Sequence, residues 1–163
     1  MKKLIYTLLI IIALTNNSFA AGSSSDSDST PKVSDFAKAK NLIIAAKKYE
    51  KKGKTEKAEK KYAKAQKLLI KSNDKKPLQA DTLNYLGFTT RKLGNYEGGE
   101  KFYLQGLQIE PNHNGINEYL GELYVATNRM GMAKERLEVL RTCNCEEYEE
   151  LKEIIDGTKK SKY

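Results

Sequence analysis

The sequence predicts an all-α protein, with antiparallel helix pairs stacked into a short superhelix. Three observations carry this. Phe36, Ala39, Leu42, Ile43, Ala46 and Tyr49 recur at steps of three and four, one face of a helix, and so do Ala58, Tyr62, Ala65 and Leu69. No run alternates apolar and polar residues in the manner of a strand. One residue pattern also returns along the chain, and repetition at a fixed spacing marks an array of stacked units.

The chain opens with Lys2 and Lys3, followed by an apolar run from Leu4 to Leu14 broken only by Thr7. Ser18 and Ala20 are small residues at −3 and −1 of a cut before Ala21. This is the pattern of a secretory signal peptide over residues 1–20. A membrane span needs about 20 apolar residues, roughly twice this run. No cysteine follows the run, so lipid attachment is not expected. The dilysine start and short apolar run look bacterial, which makes the periplasm the expected compartment. Residues 21–33, AGSSSDSDSTPKV, have almost nothing to bury and read as a disordered Ser/Asp-rich tether. The rest suits one folded domain over 34–157, with a basic disordered tail over 158–163.

Within the domain, Gly53 and Gly94 end helices, where a left-handed residue is needed. Thr55 and Asn95 are expected to cap the helices that follow. Pro111 stops a helix short of Asn112, another capping residue. Leu83, Leu86, Gly87, Gly94, Tyr96, Tyr103, Leu107 and Pro111 stand at the spacings of a tetratricopeptide repeat, and this stretch resembles that family. It departs from the pattern at Thr90, where a large aromatic is usual, and at Gly99, where alanine is usual. Leu120, Gly121, Tyr124, Ala133 and Leu137 answer it further on, and Leu42, Ala46, Tyr49, Gly53, Ala58, Tyr62 and Ala65 answer it earlier. Repeats are therefore expected at about 39–72, 80–113 and 114–147, with seven extra residues in the connection from Ser72 to Leu78. The resemblance implies a tetratricopeptide-type α-solenoid of three helix-turn-helix repeats plus a C-terminal capping helix. Ala46, Gly87 and Gly121 then keep paired helices close, as packing residues. Residues 146–156, EEYEELKEIID, supply the capping helix, with Asn144 as its cap and acids at its positive end.

Catalytic constellations are not found in the sequence. The one histidine, His113, reads as a solvated turn residue, because zinc needs three or four ligands at suitable spacing. GKT at Gly53–Thr55 echoes a phosphate loop, but Lys48 stands where that motif needs its first glycine and no strand precedes it. No enzyme, cofactor or metal is expected.

Residues 38–76 hold fifteen lysines against four acids, whereas 77–163 hold eleven basic residues against fourteen acids. The plain reading is a solvated face. The sharper one is a docking surface for an acidic protein segment or lipid headgroups, with membrane contact confined to the basic first repeat. Nucleic acid fits the charge but not export.

The resemblance also implies that partners bind on the concave surface, lined by the first helix of each pair. Matching positions there are Ile43 and Lys47, Asn84 and Phe88, and Glu118 and Glu122, flanked by Arg91 and Tyr119. Phe88 and Arg91 are expected on the side away from the Leu86–Gly87 packing face. The lysine and asparagine pattern that holds a terminal carboxylate in some members of the family is not reproduced. The function expected is a non-enzymatic cell-envelope scaffold or adaptor that binds a protein or peptide, acidic in one reading. The alternative is a thiol-redox or metal-handling protein using Cys143 and Cys145. Glu146 and Glu147 beside them would raise a thiol pKa, which argues against an activated pair. Export favours oxidation. An intramolecular disulfide, two free thiols and a bond to another molecule all remain open.

Overall fold

The computed structural model describes residues 33–161. The expected leader, and all but the last residue of the expected tether, lie outside this range. Seven helices follow in order among the described residues: α1 (Asp35–Glu50), α2 (Thr55–Lys75), α3 (Ala80–Lys92), α4 (Tyr96–Ile109), α5 (Asn114–Ala126), α6 (Met130–Leu140) and α7 (Glu146–Ile155). There is no strand among them. Consecutive helices pair as α1/α2, α3/α4 and α5/α6, and α7 packs on the last pair. Asp35, which opens α1, meets Lys75 and Lys71 at the end of α2, at 2.6 and 3.8 Å, so the first pair is antiparallel.

The repeat is visible in the backbone of the turns. Lys54 N donates to Tyr49 O at 2.9 Å, Asn95 N to Thr90 O at 3.1 Å, and Arg129 N to Tyr124 O at 2.7 Å. Each bond reaches back five residues and closes its helix in the same way. The residue before each donor has positive φ: Gly53 at 65°, Gly94 at 91° and Asn128 at 58°. Asparagine tolerates that conformation, which explains how the third turn dispenses with glycine.

Several local expectations are corrected. The seven extra residues of the first repeat are mostly helical rather than loop: α2 has 21 residues where α4 has 14. Asn95 does cap α4, accepting from Gly98 N at 2.8 Å. Thr55 does not cap α2 but is its first residue, after Lys54. The cap of α5 is His113 rather than Asn112, with Nδ1 accepting from Ile116 N at 3.2 Å. Nor is His113 freely solvated, since it is half-buried with Nε2 3.3 Å from Asp81 Oδ1. Thr158 and Lys159, assigned to a disordered tail, are held to α7 through Glu153 O and Glu150 Oε1.

Cys143 and Cys145 are joined in a disulfide with Cα atoms 5.2 Å apart. Asn144, expected to cap α7, instead takes φ 48° between them, and Cys145 holds the cap position. Closing so small a ring needs a sharp reversal, which asparagine in the left-handed region provides.

Two clusters fill the core. Ala39, Ile43, Ala46, Ala58, Tyr62, Ala65, Leu69, Leu83, Leu86 and Phe88 form the first. Tyr103, Ile116, Leu120, Leu123, Tyr124 and Ala133 lie at the centre of the second. The small residues act as spacers: a Cβ on Gly87 would sit 2.5 Å from Tyr103 Cε1, and one on Gly121 2.5 Å from Leu151 Cδ2. Leu151 of α7 is fully buried, which stabilises the cap by about 1.5–3 kcal/mol. Thr90, which replaces an aromatic, is buried and accepts from Gln66 Nε2 at 2.8 Å.

Candidate functional site

Helices α1, α3 and α5 carry the side chains expected on the inner face, and most of them come together. Lys47 Nζ lies 4.7 Å from the centre of the Phe88 ring and donates to Tyr119 Oη at 3.3 Å. The rings of Phe88 and Tyr119 lie 5.1 Å apart at a 41° tilt, and Tyr62 of α2 meets Phe88 edge-on at 5.7 Å. Arg91 donates from Nη1 to Tyr119 O at 2.8 Å, and its Nη2 lies 3.4 Å from Glu122 Oε2. Glu118 and Glu122 of α5 and Glu150 of α7 each bring a carboxylate oxygen within 4.8 Å of the others.

An open groove walled by these residues is not what forms. Ile43, Asn84, Phe88, Arg91, Glu118 and Glu122 are buried, and only Lys47 and Tyr119 are half-exposed. Ile43 and Phe88 belong to the first core cluster. The expectation that Phe88 and Arg91 face away from the packing side is therefore corrected. The cause is the closeness of successive pairs: Tyr62 of α2 and Tyr119 of α5 pack on Phe88 of α3, and Glu122 of α5 meets Arg91 of α3. That environment also acts on the phenols. Burial pushes the Tyr119 hydroxyl well above its usual range, with Glu118 adding to the effect, and burial does the same to Tyr103.

Two openings remain beside these residues: a cleft of about 400 Å³ lined by Lys47, Glu50, Lys51, Phe88, Lys92 and Glu150, and one of about 370 Å³ whose lining includes Asn84, Glu118 and Tyr119. Lys92 Nζ pairs with Glu50 Oε1 at 2.5 Å, and Tyr62 donates to Glu50 Oε2 at 2.8 Å. Three amines and two carboxylates line the larger cleft, which suits recognition of a polar, charged segment. Neither cysteine lines this cleft. The Glu118, Glu122 and Glu150 carboxylates are the one grouping among the described residues with metal-ligand spacing. The Arg91 guanidinium already offsets their charge at Glu122.

Four cleft residues, Glu50, Lys51, Lys92 and Glu150, escaped the sequence reading. For two of them a signal existed. Lys51 follows Lys47 by four residues, and Lys92 follows Phe88 by four, so each extends the inner stripe by one turn. Glu150 had no such signal, because α7 lies outside the repeat register.

No protein-family model matches the chain, and no curated protein does. Solved structures of similar shape exist. The first tetratricopeptide-repeat domain of human RPAP3 matches with a TM-score of 0.53 at 21% identity, over 77% of this chain and 98% of that one. The Yersinia enterocolitica type III secretion translocator chaperone SycD matches with a TM-score of 0.51 at 17% identity, over 78% of this chain and 83% of that one. PcrH, in complex with the chaperone binding region of PopD, matches with a TM-score of 0.51 at 17% identity, over 73% and 86%. The chain has the tetratricopeptide-repeat fold.

Proposed function

We propose that this chain is a non-enzymatic scaffold of the cell envelope that binds a segment of a partner protein at the inner face of its helix array. The observation that carries this is the cleft between α1, α3 and α7, lined by Lys47, Lys51 and Lys92 together with Glu50 and Glu150. Two structural neighbours add support: PcrH is seen with a region of PopD, and SycD is a translocator chaperone. Exposed Lys51 and half-exposed Lys47 favour a segment with at least one acidic side chain. The compartment follows from Lys2, Lys3, the run Leu4–Leu14 and the Ser18–Ala20 pattern, with export before Ala21 to the periplasm. A disulfide between Cys143 and Cys145 suits an oxidising compartment.

The test is affinity capture from envelope extract with the wild-type chain and with Lys47→Glu/Lys51→Glu, each eluate identified by mass spectrometry. A protein held by the first and lost by the second, with matched circular dichroism, supports the proposal. Equal capture by both would place binding elsewhere. N-terminal sequencing of envelope-fraction protein checks the compartment, and a start at Ala21 is expected.

A further inference from the structure

Helix α2 carries a second surface that shares no residue with the cleft. At 3.6 residues per turn, Lys57, Lys60, Lys61, Lys64, Lys67, Lys71 and Lys75 fall within an arc about 120° wide. The buried residues of the helix, Ala58, Tyr62, Ala65 and Leu69, lie on the opposite side. The three acids of the helix, Glu56, Glu59 and Asp74, fall outside the arc. Six of the seven lysines are exposed and Lys61 is half-buried. Lys71 and Lys75 meet Asp35. Among the described residues, Lys57, Lys60, Lys61, Lys64 and Lys67 have no carboxylate within ion-pair distance. The stripe runs about 27 Å along a straight helix, and its last lysines sit in the turns that make α2 longer than α4.

We infer that this stripe docks the protein on a bilayer surface of anionic lipid. Charge complementarity supplies the attraction, since a line of lysines near a surface of negative headgroups gains from each amine brought close. The residue types select the occupant. No arginine occurs before Arg91, so the stripe lacks the planar fork that grips a single phosphate or a base edge from two sides. The one aromatic residue of α2, Tyr62, is buried, so no ring is offered for base stacking. Lysine ammonium groups are point charges on flexible stems, suited to a diffuse field of negative headgroups.

The experiment uses the full chain and cosedimentation with vesicles of phosphatidylcholine, with and without about 30% phosphatidylglycerol. One variant carries K57Q, K60Q, K61Q and K64Q. A control of equal net charge carries K101Q, K134Q, K152Q and K160Q. All retain the apolar run Leu4–Leu14, so binding to vesicles of phosphatidylcholine alone measures that run, and the stripe is read from the excess binding to anionic vesicles. Binding to anionic vesicles is expected to weaken by about tenfold or more in the stripe variant and by less than about twofold in the control. Binding of the unmodified chain should also fall steeply as salt rises from about 50 to about 300 mM. A milder variant, K60Q/K64Q, keeps the test open if the fourfold one folds poorly, and an intermediate loss relative to a K101Q/K134Q control is expected. Equal losses in both variants, or salt-independent excess binding to the anionic vesicles, would overturn the inference. So would tighter stripe-dependent binding to a duplex oligonucleotide at equal salt.

Discussion

Arg91 and Glu122, 31 residues apart in sequence, face each other at 3.4 Å with both side chains wholly out of solvent. Arg91 also holds the Tyr119 carbonyl, so one guanidinium ties α3 to α5 twice. Replacing one partner of a buried pair costs about 3–5 kcal/mol, because the other charge stays in a poor dielectric. Arg91→Met should therefore lower the melting temperature sharply. The double variant Arg91→Met/Glu122→Leu should regain much of the loss. Urea unfolding of the three proteins checks this, and a double variant no better than the single one would show that the pair is not the relevant unit.

Gly87 and Tyr103 give a second test. A methyl group at residue 87 would overlap the Tyr103 ring, a rigid side chain with no exposure. Gly87→Ala should destabilise by about 1–3 kcal/mol through overpacking, although alanine favours a helix by about 1 kcal/mol over glycine. At Gly131, where a Cβ would meet nothing within 4 Å, the same substitution should be neutral or stabilising. Thermal melts should show a drop for Gly87→Ala and none for Gly131→Ala.

Alkaline pH should unfold the protein through its buried phenols. Burial raises the phenol pKa of Tyr62 and Tyr103 above the usual value near 10. Above that pH the unfolded chain releases these protons while the native chain keeps them, so stability falls as pH rises. Each phenol contributes a slope of about 1.4 kcal/mol per pH unit, lost progressively from pH 10 up toward the native value. Absorbance at 295 nm followed together with circular dichroism checks this. Both phenols should ionise within the unfolding transition rather than before it.

The cystine should matter locally and little else. A loop this short yields only about 1.5 kcal/mol in the chain-entropy view. Cys143→Ser/Cys145→Ser should keep the global melting temperature within a few degrees while speeding amide exchange in α7. Denatured, unreduced protein should show no reactive thiol. Two reactive thiols in protein taken directly from the envelope would contradict the bond.

Much of the architecture was legible because the signals that set it are short-ranged. The step of three and four residues named the helices, and Gly53 and Gly94 named two of the turns. Gly87 and Gly121 were legible as spacers, though not that Tyr103 and Leu151 fill the space they leave. Capping was harder to read, because several polar residues in a row compete for each cap. His113 took the place of Asn112, and Asn144 was drawn into the cystine turn.

The sequence by itself determined the helices, their pairing, the repeat spacing, the need for a cap and the lysine excess of the first repeat. All follow from periodicity and composition over a few turns of chain. The tertiary structure alone decided which inner side chains meet solvent. Phe88, Arg91, Glu118 and Glu122 hold positions that a linear pattern assigns to a groove, yet Tyr62 of α2 and Tyr119 pack on Phe88, Arg91 meets Glu122, and Glu150 of α7 comes up against Glu118 and Glu122. Burial depends on how tightly successive pairs stack. That is set by the volumes of side chains distant in sequence, so no local pattern can report it.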